Sequence, residues 1–304
     1  MTTLRAVSLV VPLAVSLAIP AQATVNINIE YVQKSVVFLY GADAAGNVDS
    51  TKPLGTGFIV QVPVASDPSK AYKLLVTARH MVDPEWAGCD AQPQKMFLRL
   101  NKKDFDPSKG EVGTVDLDLS GEVNLAKQWF FSSDVEVDAA VAVLKGKLLD
   151  PYDVGGVYIS DFPTPDEVKN FKAGDDVVSA GLLPGKSGKK RNYPFFKFGN
   201  LSSIPDESAD PPSCGAASPS HSLKLWFVAA NLVPGNSGSP IYFSPRPFSD
   251  VRAMFLGVQS ISFLGWDIAG MTPAQYVYDI ISKIPLEKPD LRRNVKPEQP
   301  KVGN

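Results

Sequence analysis

The sequence predicts an all-β protein built from antiparallel strands. Segments with helical period are scarce in its 304 residues. Short apolar runs are many, and Gly, Pro, Asp and Ser punctuate them. The apolar fraction, 44%, is ample for a core. The length fits one large domain or two modest ones. Net charge is −2, so composition suggests neither nucleic acid nor an anionic membrane surface as a partner.

Residues 1–23 read as a cleavable signal peptide. Arg5 is the only charge, an apolar run follows from Ala6 to Ile19, and Ala21-Gln22-Ala23 suits a small-residue cleavage site. The alternative is an uncleaved anchor. With cleavage, the mature chain starts near Thr24, carries no membrane span, and is periplasmic or secreted.

Val36–Tyr40, Gly55–Val62, Lys73–Val76, Met96–Leu100 and Val112–Leu119 are β-type runs. The third leads into Thr77-Ala78-Arg79-His80. His80 is one of two histidines in the chain. At the end of an apolar strand it is either a general base or a structural residue. Further on, Asp134, Glu136 and Asp138 alternate with valines before the run turns wholly apolar at Ala139–Leu144. Asp138 is the last acid before the buried part, and a carboxylate there needs a partner such as an imidazole. Asp134 and Glu136 belong on the solvated side. The competing reading places all three acids on one wet strand face.

Gly235-Asn236-Ser237-Gly238-Ser239-Pro240 lies between two expected strands, Leu225–Ala230 and Pro240–Phe243. Glycine serves where backbone must approach another group closely. A nucleophilic serine needs two backbone N–H groups to hold an oxyanion, and Gly235 and Ser237 are the candidates. Read without that chemistry, the segment is a hairpin turn.

Cys89 and Cys214 are the two cysteines. In an exported chain they read as one disulfide between loops, worth about 4 kcal/mol in the loop-entropy model; the alternative is two unpaired thiols. With two histidines and no zinc spacing, neither a metal nor a cofactor is implied. Thr272–Ile284 carries a helical stripe of Tyr276, Val277, Ile280, Ile281 and Ile284, with Thr272 as cap and Pro273 in the first position. Residues 286–304 are proline-rich, charged and expected to be disordered.

Gly-Thr-Gly-Phe-Ile-Val at 55–60, Thr-Ala-Arg-His at 77–80, Asp-Ala-Ala-Val at 138–141 and Gly-Asn-Ser-Gly-Ser-Pro at 235–240 follow one another in that order. Together they resemble the trypsin/chymotrypsin superfamily of serine proteases, in particular its bacterial trypsin-like branch, related to the Deg-type proteases. An α/β-hydrolase would place the serine first, and Ser239 breaks its Gly-x-Ser-x-Gly pattern. The likeness covers roughly residues 34–285. It implies two antiparallel six-stranded β-barrels of chymotrypsin type with a C-terminal helix. The N-terminal barrel would occupy 24–150, a connection 151–172, and the second barrel with its helix 173–285. No stretch is then left for a PDZ domain.

The resemblance also implies roles. His80, Asp138 and Ser237 would form the catalytic triad, and the N–H groups of Gly235 and Ser237 the oxyanion hole. Asn231, Ser260, Ile261 and Ser262 would lie along the substrate, with Ser260 also bonded to the buried aspartate. Ser262 stands where glycine is usual, which narrows the pocket. Asn231 stands where trypsin-like members carry an aspartate, so an uncharged residue is expected before the cleaved bond. Asn236 stands where zymogen members carry the aspartate that captures a freed N-terminus. The implied activity is peptide-bond hydrolysis on a protein or peptide substrate. Two other readings share the fold: a non-catalytic secreted binding protein, and an esterase using the same triad.

Overall fold

The computed structural model describes residues 27–83, 86, 95–109, 111–119, 129–186, 188, 190–210, 222–232, 235–245, 251–263 and 265–294. The expected signal peptide, and Cys89 and Cys214 with their expected bridge, lie outside the described residues.

The described chain opens on α1 (Ile29–Ser35), whose first turn is closed by Asn28 accepting from the Tyr31 N–H at 3.0 Å. Eight strands follow: β1 (Val36–Ala42), β2 (Val48–Val64), β3 (Asp67–Thr77), β4 (Met96–Asn101), β5 (Thr114–Asp118), β6 (Trp129–Phe131), β7 (Ala140–Val143) and β8 (Val157–Tyr158). The first seven form an antiparallel sheet in the order β5-β4-β1-β2-β3-β7-β6, and β8 joins β2 in parallel. Side-chain alternation sends Val37 and Leu39 into a core with Ile59, Leu75, Leu98 and Trp129. It sends Phe38 and Tyr40 into another with Phe58, Val60 and Val76. Both faces of these strands are apolar, which is why they read as unbroken runs.

The second unit contains β9 (Asp176–Gly181), β10 (Phe195–Ser203), β11 (Trp226–Ala229), β12 (Pro240–Phe243), β13 (Met254–Phe263) and β14 (Ile268–Pro273). They close into an antiparallel barrel in the order β10-β11-β14-β13-β12-β9. Val177, Trp226, Val228, Ile241, Leu256 and Met271 fill it together with Phe171. Burying each such side chain contributes about 1.5–3 kcal/mol. The two units share one core. Phe255 of the barrel meets Phe58 of the sheet at 5.2 Å between ring centroids, and Phe162 of the connection at 4.7 Å.

Three expectations are corrected. Among the described residues only the second unit closes into a six-stranded barrel; the first is an open sheet whose path ends on β5 and β6. Closure needs edge strands long enough to share a tilted register, and β6 has three residues. The closing helix, α3, spans Ala274–Lys283 with Pro273 at its N-cap, after a short α2 (Pro165–Val168) in the connection. Thr272 is therefore the penultimate residue of β14 and caps nothing. Residues 286–294 of the expected disordered tail lie against the first sheet. Asp290 N–H donates to the Pro63 carbonyl at 2.7 Å and Ala65 N–H to the Lys288 carbonyl at 2.8 Å. Composition misled because this segment is held largely through its backbone, with Leu286 and Leu291 as its few apolar anchors on the core. Among the described residues no helix is long and apolar enough to cross a membrane.

Candidate active site

His80 sits in a single 3-10 turn, Arg79–Met81, directly after β3. Asp138 lies just ahead of β7. β3 and β7 are paired, with Thr77 opposite Ala140, so the ladder itself brings the two side chains together. His80 Nδ1 lies 2.8 Å from Asp138 Oδ2, and the His80 backbone N–H donates to Oδ1 at 2.9 Å. The Asp138 side chain is 1% exposed and that of His80 24%.

Each group shifts the other. Burial pulls the imidazole toward its neutral form, but the charge of Asp138 and the hydrogen bond to it outweigh burial and raise the His80 pKa. Burial likewise pushes the Asp138 carboxyl up. The charge of His80 and the hydrogen bonds from its ring, from Ser260 and from its own backbone N–H hold it below the ordinary value. Because Nδ1 faces the carboxylate, the neutral ring carries its proton there and leaves Nε2 as the basic atom.

The second unit completes the carboxylate's surroundings. Ser260 Oγ on β13 donates to Asp138 Oδ2, and Thr272 Oγ1 on β14 donates to the Asp138 carbonyl at 3.1 Å. A buried carboxylate is tolerable only when paired and hydrogen-bonded, and these partners come from both units. Asp134 and Glu136 are instead turned toward Lys224, partly exposed.

Ser237 occupies the turn between β11 and β12. Two glycines shape it: Gly235 has φ +93° and Gly238 φ +84°. A Cβ on Gly238 would stand 2.0 Å from the Thr56 carbonyl oxygen and 2.2 Å from Thr77 Oγ1. Ser237 Oγ donates to the Ser260 carbonyl at 3.3 Å. Among the described residues, neither the Gly235 N–H nor the Ser237 N–H has a protein acceptor.

Thr56, fully buried on β2, ties this turn to the first sheet. Its N–H donates to the Ser237 carbonyl at 2.9 Å and its Oγ1 to the Gly235 carbonyl at 3.0 Å. The same Oγ1 accepts from the Leu182 N–H at 2.9 Å. The Thr56 carbonyl accepts from Thr77 Oγ1 at 2.8 Å.

The remaining sequence-derived residues have mixed placements. Ser260 is 1% exposed with its hydroxyl turned to Asp138, so its side chain does not face a substrate. Ile261 and Ser262 are half-buried on β13, and Ser262 Oγ accepts from Gln259 Nε2 at 3.0 Å. Asn231 is exposed. Its carbonyl accepts from Lys197 Nζ, which also donates to Asn236 Oδ1 at 3.1 Å. From the sequence, Thr272 reads only as a helix cap and Thr56 only as part of the motif at 55–60, and Lys197 is not singled out. Lys197 carries a signal as the one charge within Phe195-Phe196-Lys197-Phe198. Among the described residues no three His, Cys, Asp or Glu side chains are grouped to hold a metal ion.

The chain is similar to solved structures of proteases. One is the MamO protease domain from Magnetospirillum magneticum in its apo form, at 14% identity over 82% of this chain and 96% of that one, with a TM-score of 0.49. Deg5 matches at 13% identity over 85% and 92%, with a TM-score of 0.46. The active form of the Rv3671c protease from M. tuberculosis matches at 18% identity over 87% of each chain, with a TM-score of 0.47. No protein-family model and no curated protein matches the chain.

Proposed function

We propose that this protein is an exported serine endopeptidase that cleaves peptide bonds through an acyl-enzyme on Ser237. The observation that carries the proposal is the His80–Asp138 pair. One carboxylate binds both the ring nitrogen and the backbone N–H of the same histidine, at 2.8 and 2.9 Å, in a site that also holds a serine on a glycine-shaped turn. Export rests on residues 1–23 as read in the sequence.

In this reading His80 Nε2 takes the proton of Ser237 Oγ as the hydroxyl attacks the scissile carbonyl, then gives it to the leaving amine. Asp138 keeps the ring in the required tautomer and stabilises its cation. The N–H groups of Gly235 and Ser237 receive the oxyanion. Before attack, Ser237 Oγ turns from the Ser260 carbonyl toward His80. Water then hydrolyses the acyl-enzyme through the same base.

The test is reaction with a fluorophosphonate, located by peptide mass spectrometry, alongside cleavage of a peptide library. An adduct on Ser237 together with peptide cleavage is expected. An adduct with ester hydrolysis alone would make the protein an esterase. No adduct on Ser237 would leave a binding protein of the same fold.

A further inference from the structure

We infer that Lys197 is a positioning residue: its ammonium holds the segment that carries Gly235 and leads into Ser237, so the oxyanion site forms in the intact chain. This deepens the serine-protease reading and rests on it.

Lys197 stands on β10 opposite Ser179 of β9. Its Nζ reaches two acceptors, the Asn231 carbonyl and Asn236 Oδ1, the second at 3.1 Å. Those acceptors are the two ends of one segment, 231–236. A single cation therefore binds both Asn231 and Asn236, the residue just ahead of the nucleophile. Asn236 is 1% exposed, and its side chain is gripped at both polar ends. Oδ1 takes the lysine, while Nδ2 donates to the Leu182 carbonyl at 2.8 Å, just past β9. The amide plane of Asn236 is thus fixed, and with it the peptide that joins Asn236 to Ser237.

Among the described residues Lys197 has no acid partner to account for its placement. It is partly withdrawn from water, and among the described residues its polar partners are a carbonyl and an amide oxygen. Burial lowers its pKa from the ordinary lysine value. An ammonium withdrawn from water without a carboxylate is unfavourable, so the chain keeps it there against a local cost. Thr56 supports the turn from the first sheet; Lys197 supports it from within the second unit, together with the Gly238 N–H on the Gln259 carbonyl at 2.8 Å and the Asn236 amide on the Leu182 carbonyl. Since the amine is internal, it is in place as soon as β9 and β10 pair.

Lys197→Met keeps the stem and removes the ammonium. Removing one oxyanion donor outright lowers kcat by about 10²–10³, so loosening two of them should cost less. The expected result on a peptide amide is kcat lower by about 10- to 100-fold with KM within about threefold. A peptide boronic acid, which forms the tetrahedral adduct, should lose affinity in step with kcat, while a product peptide should bind as before. Lys197→Arg should restore kcat to within about threefold, because a guanidinium can donate to both acceptors.

Unchanged kcat in Lys197→Met would overturn the inference. So would equal losses in boronate and product binding without rescue by arginine, which would make Lys197 merely structural. If Lys197→Met does not unfold cooperatively, Lys197→Gln, which keeps a donor, carries the same measurements. Should neither variant fold, Lys197 is a folding residue and the inference falls. Failure of the protease reading is separate: it shows in the wild type, as no adduct on Ser237 and no peptide cleavage.

Discussion

The backbone N–H of Thr56 donates to the carbonyl of Ser237 at 2.9 Å. Thr56 belongs to the open sheet and Ser237 to the closed barrel, so the candidate nucleophile is held by the unit that does not carry it. The Thr56 hydroxyl adds an acceptor for Leu182 N–H and a donor for the Gly235 carbonyl. Thr56→Val should leave both of those groups without their partner in a buried site. Each unsatisfied group costs about 1–3 kcal/mol, so a loss of about 2–6 kcal/mol is expected. Urea unfolding measures it, and a loss under about 0.5 kcal/mol would mean that water or a shifted backbone replaces the hydroxyl.

Gly238→Ala should be worse tolerated than any other single methyl added to the turn. Its φ is +84° and the new Cβ would meet the Thr56 carbonyl, which is fixed backbone. Left-handed strain adds about 1–3 kcal/mol before the clash is counted. Loss of soluble protein, or of cooperative unfolding, is the expected outcome. A variant with wild-type stability would show that the turn can open away from Thr56.

The three acids near β7 should rank sharply. Asp138→Asn should lower kcat by roughly ten-thousandfold, because the amide imposes the wrong histidine tautomer. Asp134→Asn and Glu136→Gln should change activity little. Their side chains are 34% and 31% exposed against Lys224, and exposed pairs are worth about 0–1 kcal/mol. Steady-state kinetics on the three variants decides, and a reversed ranking would move the acid of the triad elsewhere.

The pH profile follows from the pair. The base acts as neutral imidazole, so kcat/KM rises as His80 loses its proton. The charge of Asp138 outweighs burial and raises that pKa, so the acid limb should lie above the ordinary 6.5. Asp138→Asn removes the raising charge and leaves burial, so the residual limb should move to lower pH. For stability the signs differ between partners. The His80 contribution is complete below 6.5 and is lost as pH rises through the folded value. The Asp138 contribution is present above 3.8 and is lost as pH falls through its depressed value. The pair should therefore stabilise the fold most between 3.8 and 6.5. Chemical denaturation of His80→Gln against wild type across that range should show the largest difference inside it.

Cleavage should favour an uncharged residue before the scissile bond. Asn231 offers no carboxylate, and the Lys197 ammonium on its carbonyl disfavours a second cation nearby. Profiling with a peptide library tests this. A clear preference for Arg or Lys would require an acid reaching in from another loop.

Local chemistry made a large part of the molecule legible without coordinates. The runs Val36–Tyr40 and Pro240–Phe243 fall within or on β1 and β12 because side chains buried on both faces leave an apolar string, and Met96–Leu100 falls within β4 with Arg99 as its one interruption. The glycines flanking Ser237 marked a turn because few other residues adopt positive φ. His80 and Asp138 stood out because a titratable side chain at the edge of an apolar strand demands a partner. What only the tertiary structure decided depends on distances between segments far apart in the chain. Sheet closure depends on edge strands meeting in register, and no local pattern encodes that for β5 and β6. Thr272 looked like a helix cap because threonine before proline is a local signal, yet its hydroxyl is bound to the Asp138 carbonyl, 134 residues away. Residues 286–294 looked solvated because they are mostly charged and polar, yet their backbone is paired with Pro63 and Ala65, and Leu286 and Leu291 pack against the core. Thr56 and Lys197 are single polar residues in β segments, and their roles arise only where the chain's return brings a carbonyl or an amide opposite them.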